Sequence, residues 1–213
     1  MKILRSFAAA IAGRAIRLFA LFVTAARAEW QGIVPEPRQR VYFANHTSNG
    51  DMPMIWAVLP TALRRQTRPV AAADYWLKNR LRAFAGRDVF KAVLIDRRPE
   101  VNDNPMEKMI AALDEGASLI IFPEGKRNMG PDPLLPFKAG LYNIGRQRPD
   151  VDLVPTWIAN LNAIMPKGEV IPLPLICTVT FGAPLHVAEG EDKDAFLARA
   201  SGALRDLAPQ VAS

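Results

Sequence analysis

From Val41 onward, short apolar runs alternate with longer stretches of helical spacing, and that alternation limits the possible folds more than any other property of the chain. Val41 to Ala44, Pro69 to Ala73, Ala92 to Ile95, Ser118 to Phe122, Leu153 to Ile158 and Leu175 to Phe181 read as strands. Tyr75 to Gly86, Asn104 to Gly116 and Pro136 to Gln147 read as helices, and an amphipathic helix starting near Asp192 closes the chain. The second of these has Asn104 and Pro105 as a start signal and Gly116 as a stop. Such a pattern argues an α/β fold: a mixed, largely buried β-sheet flanked by helices. With 213 residues the chain has room for one well-buried domain. The two prolines of "QGIVPEPRQR" mark Gln31 to Arg40 as a linker, which separates residues 1–30 from an α/β domain over residues 31–213.

The formal net charge of +6 favours anionic partners: phosphates, anionic headgroups or nucleic acid. Aromatic residues are sparse and not interleaved with the cations, which argues against nucleic acid. The single cysteine, Cys177, lies in "LPLICTVTF" and reads as a core residue. One cysteine excludes an internal disulfide and points to a reducing compartment.

The first thirty residues are apolar but interrupted by Arg5, Arg14, Arg17 and Arg27. The longest uncharged run, Leu18 to Ala26, is nine residues, whereas a simple span needs about twenty. On a helix, Leu4, Phe7, Ile11, Leu18, Phe22 and Ala25 fall within an arc of about 60°. Lys2 and the arginines mostly take the other side, as expected of a helix lying on an anionic membrane surface. The same stripe could pack on the protein's own core. A secretory segment ending at Ala26, Arg27 and Ala28 is a third reading, against which the arginines count.

Chemistry concentrates at the strand ends. In "FANHTSNGD", His46 and Asp51 are separated by Thr47, Ser48, Asn49 and Gly50, which are turn and cap formers. If the turn closes, Asp51 can hold one imidazole nitrogen and leave the other free as a base; otherwise Ser48 or Asp51 merely caps the next helix and His46 is a surface loop residue. "IIFPEGKRN" ends a second strand with Glu124, Gly125, Lys126 and Arg127, "AVLIDRR" ends a third with Arg97, and "PFKAG" adds Lys138. One base and several cations at converging strand ends suit a substrate carrying a hydroxyl and a phosphate.

On these residues the chain resembles the glycerolipid acyltransferases typified by 1-acylglycerol-3-phosphate acyltransferase, in their compact bacterial form. "NHTSNGD" fits N-H-x-x-x-x-D, "FPEGKRN" resembles F-P-E-G-T-R-S, and "VLIDRR" and "LVPTWI" resemble the second and fourth blocks in order and spacing. The likeness runs from about Val41 to Gly182; Lys126 and Asn128 depart from the usual threonine and serine. It implies that His46 is the general base and Asp51 its orienting partner, with Arg97, Arg127 and Lys138 at the phosphate and Glu124 and Gly125 completing the acceptor pocket; Lys126, in place of threonine, adds charge beside the phosphate site. It further implies acyl-CoA or acyl carrier protein as co-substrate, a lysophosphatidic acid acceptor, no cofactor or metal, and a place on the cytoplasmic face of the inner membrane. Two rival readings are a hydrolase or transacylase using the same pair, and a non-catalytic binder of anionic lipid.

Overall fold

The computed structural model describes residues 2–96, 104–159 and 177–209. Arg97 and the beginning of the last expected strand lie outside them. An N-terminal helix, α1 (Lys2–Thr24), turns through Ala25 at φ 45° into strand β1 (Arg27–Trp30). Strand β2 (Arg40–Ala44) is followed by α2 (Asp51–Val58), α3 (Thr61–Gln66) and β3 (Thr67–Ala72). Two short helices, α4 (Ala73–Trp76) and α5 (Arg80–Phe84), and a π turn over Ala85–Val89 lead to β4 (Val93–Ile95). The remainder runs α6 (Pro105–Asp114), β5 (Ser118–Ile121), α7 (Gly140–Gln147), β6 (Asp152–Ala159), β7 (Thr178–Phe181) and α8 (Lys193–Arg205).

These strands form one seven-stranded sheet in the order β1-β7-β6-β2-β5-β3-β4. Every pairing is parallel except β6 with β7. Val41, Phe43, Leu119, Ile121 and Leu153 pack with Met109, Leu113, Ile144 and Phe196 of α6, α7 and α8. From the same strands Tyr42, Ile120 and Val154 pack with Ile55, Leu59 and Leu63 on the opposite face. Burial on both faces is why these strands are apolar at nearly every position instead of alternating.

Three expectations change. Residues 27–30 do not continue the helical segment; they form an edge strand on β7. "RAEW" is short and half polar, as an edge position allows, and so carries no strand signal. Tyr75 to Gly86 is not one helix, because the Asn79 carboxamide accepts from Arg82 N and starts a new helix in the middle of it. The helix expected from Pro136 starts only at Gly140, since Lys138 N donates to Pro123 O and holds that segment against the end of β5.

Helix α1 docks through small residues. Ala9, Gly13 and Thr24 are buried, and a Cβ on Gly13 would lie 3.3 Å from Val89 and 3.5 Å from Trp56. Arg17 Nε donates to Ala57 O, one of the last carbonyls of α2, and Arg5 pairs with Asp88. Arg17 is partly buried and Arg5 forms an exposed ion pair, so the side opposite the apolar stripe docks on the protein. Leu4, Phe7, Ile11, Leu18 and Phe22 face outward, which removes the own-core reading of that stripe. Although its longest uncharged run is short, Ile3–Thr24 as a whole is long and apolar enough to cross a membrane by length and composition, which corrects the expectation that it could not.

Candidate active site

Strands β2 and β5 are parallel neighbours whose outgoing chains part to opposite faces of the sheet. The chain after β2 enters α2 and α3 on one face; the chain after β5 enters α7 on the other. Such a divergence opens a crevice beyond the carboxyl ends of the two strands. His46, Asp51, Glu124, Gly125, Lys126, Arg127 and Lys138 all belong to the segments that leave these ends.

The turn after β2 closes around one carboxylate oxygen. Asp51 Oδ2 accepts from Thr47 N at 2.7 Å, from Ser48 N at 2.8 Å and from His46 Nδ1 at 2.8 Å. Ser48 Oγ adds a bond from Gly50 N, and Asp51 opens α2, where a carboxylate sits well against the helix N-terminus. Asp51 is fully buried. A carboxylate accepts, so in the neutral imidazole this bond puts the proton on Nδ1 and leaves Nε2 with the lone pair. The His46 side chain is 22% exposed and stacks on Phe122 with ring centroids 4.2 Å apart.

The loop after β5 supplies the opposite wall. Gly125 has φ 70°, and a Cβ there would lie 2.6 Å from both Cε and Nζ of Lys138. The positive φ calls for glycine, and the absence of a Cβ leaves the space that the flexible end of Lys138 crosses. Lys126, Arg127 and Lys138 are exposed, leaving their charges open to an anion. Glu124 is buried; its Oε1 accepts from His46 N at 2.9 Å and its Oε2 from Leu135 N at 3.0 Å. Burial pushes its carboxyl pKa up, and those two N–H bonds oppose the shift.

Three residues that sequence reasoning did not assign complete the arrangement. Phe122 stacks on the imidazole. Asn128 N donates to His46 O at 2.6 Å, while its side chain accepts from Gly130 N and donates to Asp132 O. Asn45 bonds both ways with the main chain of Ile158, tying the end of β2 to β6. A buried carboxamide directly after four apolar strand residues was the available signal for Asn45. Phe122 and Asn128 bound the block "FPEGKRN", but nothing local shows that they contact His46.

The apolar side chains of α2 are spent on the core: Met52, Met54, Ile55 and Trp56 are buried there. Cys177 is buried too, its thiol pushed up to about 11 by desolvation and by the charge of Asp51, which makes it a poor nucleophile. Among the described residues no group of three or more His, Cys, Asp or Glu is placed to hold a metal ion.

Residues 28–159, from β1 to the end of β6, match the family model described as Acyltransferase. The chain belongs to the acyltransferase family. The matched region contains both the His46–Asp51 turn and the loop after β5. The fold is similar to the crystal structure of the 1-acyl-sn-glycerophosphate (LPA) acyltransferase PlsC from Thermotoga maritima, with a TM-score of 0.71 and 20% identity over 96% of this chain and 84% of that one. A curated relative named "Taffazin", from Dictyostelium discoideum, is 29% identical over 152 residues, 65% of this chain and 51% of its own length. The present chain thus spans about half of that relative.

Raising a buried carboxyl's pKa has a consequence for stability. Between the unfolded value, about 4.3, and the higher folded one, the folded state binds more protons, so stability falls as pH rises through that window. Glu124→Gln removes this dependence. Urea denaturation from pH 4 to pH 8 is expected to show wild type losing stability relative to the variant as pH rises; parallel curves would contradict the burial of this charge.

Proposed function

We propose that the protein is an O-acyltransferase that moves a fatty acyl group from acyl-CoA or acyl carrier protein to the free hydroxyl of a lysophospholipid. The acceptor we favour is 1-acylglycerol-3-phosphate, giving phosphatidic acid. The observation that carries this reading is the bond from His46 Nδ1 to Asp51, which leaves Nε2 as a lone-pair base at the rim of a cationic crevice.

In this mechanism Nε2 takes the proton of the acceptor hydroxyl as its oxygen attacks the thioester carbonyl. The tetrahedral intermediate collapses, the carbon–sulfur bond breaks, and the proton on His46 passes to the departing thiolate. Asp51 holds the ring and offsets the positive charge that forms on it. General-base help of this kind contributes about 10² to 10⁴ in rate. No acyl-enzyme is required: the sequence has no G-x-S-x-G elbow, and the Cys177 thiol is buried. Lys126, Arg127 and Lys138, with Arg97, hold the acceptor phosphate through charge-assisted bonds, and Gly125 lets the loop approach it. No cofactor takes part beyond the acyl donor.

The outward stripe of α1 would seat the enzyme on the bilayer that contains its acceptor, and a cytosolic donor places it on the cytoplasmic face. Such helices bind by buried apolar area and by attraction to anionic lipid. Full-length protein should sediment with phosphatidylglycerol-containing vesicles, and Phe7→Asp with Phe22→Asp should leave it in the supernatant. Equal sedimentation of the double variant would remove α1 from the membrane contact.

Free-thiol release from acyl-CoA tests the chemistry. Release is expected to require lysophosphatidic acid and to fall at least about 10²-fold in His46→Ala, which loses one partly exposed ring from a loop and should stay folded. Arg127→Ala should raise the KM for lysophosphatidic acid about tenfold or more with kcat little changed. Wild-type turnover in His46→Ala would sink the mechanism. Lysolipid loss without a thioester donor would favour a hydrolase or transacylase.

A further inference from the structure

Among the described residues four contacts fix His46, and three of them come from a single loop. The loop after β5 gives the Glu124 carboxylate to the His46 N–H, the Asn128 N–H to the His46 carbonyl, and the Phe122 ring to the imidazole face. Only the bond from Nδ1 to Asp51 is supplied by the turn that carries His46 itself. We propose that Glu124 is a positioning residue for His46 and not a ligand of the acceptor, a role that rests on the acyl-transfer reading above.

The geometry separates the two roles. Each carboxylate oxygen of Glu124 accepts from a main-chain N–H, and the residue is 2% exposed. A group that binds acceptor must present an atom to the crevice, as the exposed Lys126, Arg127 and Lys138 do. Glu124 instead ties together three segments. One is its own loop, the second is the end of β2 through His46, and the third is the stretch from Leu135 through Lys138 into α7. Base and phosphate-binding lysine are thereby referenced to the same carboxylate. The desolvation of a charge in that position is tolerated because two donors are aimed at it. Glutamine has the same shape but only one acceptor oxygen, so its amide nitrogen would face either His46 N–H or Leu135 N–H, donor against donor.

The test compares wild type with Glu124→Gln in the thioester assay and by proton NMR of the His46 Nδ1–H resonance. The chain has two histidines, so His186→Gln assigns that signal. A displaced base costs rate: misplacement by about 1 Å can cost about 10²-fold. We expect kcat to fall between tenfold and a hundredfold, the KM for lysophosphatidic acid to stay within about twofold, and the Nδ1–H signal to broaden or vanish. A raised KM with kcat retained would make Glu124 an acceptor ligand and overturn the proposal, as would wild-type kinetics. If wild type itself releases no thiol with any acceptor, the acyl-transfer reading fails and the NMR arm decides alone: an unchanged Nδ1–H signal in the variant overturns the clamp, and its loss sustains it. Should Glu124→Gln not fold, Glu124→Asp carries the same readouts, being one methylene too short to reach both donors.

Discussion

One buried carboxylate oxygen organises the candidate site. Asp51 Oδ2 gathers the N–H groups of Thr47 and Ser48 and the Nδ1–H of His46 within 2.8 Å. Three donors on one anion close the turn, fix the tautomer and begin α2 together. The arrangement couples local structure directly to chemistry, because the contacts that shape the loop also leave Nε2 with its lone pair. Those three donors offset the burial of the charge on Oδ2, whereas Oδ1, equally buried, has no hydrogen-bond partner among the described residues.

The second requirement is a wall for that base, and only the sheet supplies it. Strands β2 and β5 lie side by side in parallel, so the chain around residue 46 and the chain around residue 124 emerge together although they are far apart in sequence. Divergence of the following helices to opposite faces keeps the crevice open. Gly125 permits the tight path that brings Lys138 across the loop, and the Glu124 and Asn128 bonds clamp the main chain of His46 on both sides. An imidazole held this firmly would lose little orientation entropy in the proposed role of base.

Helix α1 shows how one segment can serve two surroundings. Its small face, with Ala9, Gly13 and Thr24, comes close to α2 and the π turn, and Arg17 caps the carbonyl end of α2. Its bulky face points outward. The helix therefore rests on the element whose first residue is Asp51, which brings the proposed membrane contact within one helix of the dyad.

The sequence by itself determined the buried α/β sheet and the cations after β5, and it set turn and cap formers between His46 and Asp51 without deciding that the turn closes. Each of these depends on local order: apolar runs of strand length, cap and turn formers at short spacing, and charges next to a strand end. Even the resemblance to the acyltransferases rested on such contiguous blocks. Tertiary structure alone decided the rest. β1 exists because β7 offers an edge to four residues with no strand signal of their own. The outward stripe of α1 could have faced inward on pattern alone, and the small face at Ala9, Gly13 and Thr24 with the Arg5 and Arg17 contacts marks the docked side. The partners of Glu124 and the stacking of Phe122 join the ends of two strands, and a contact between residues 78 apart leaves no trace in either one's neighbours.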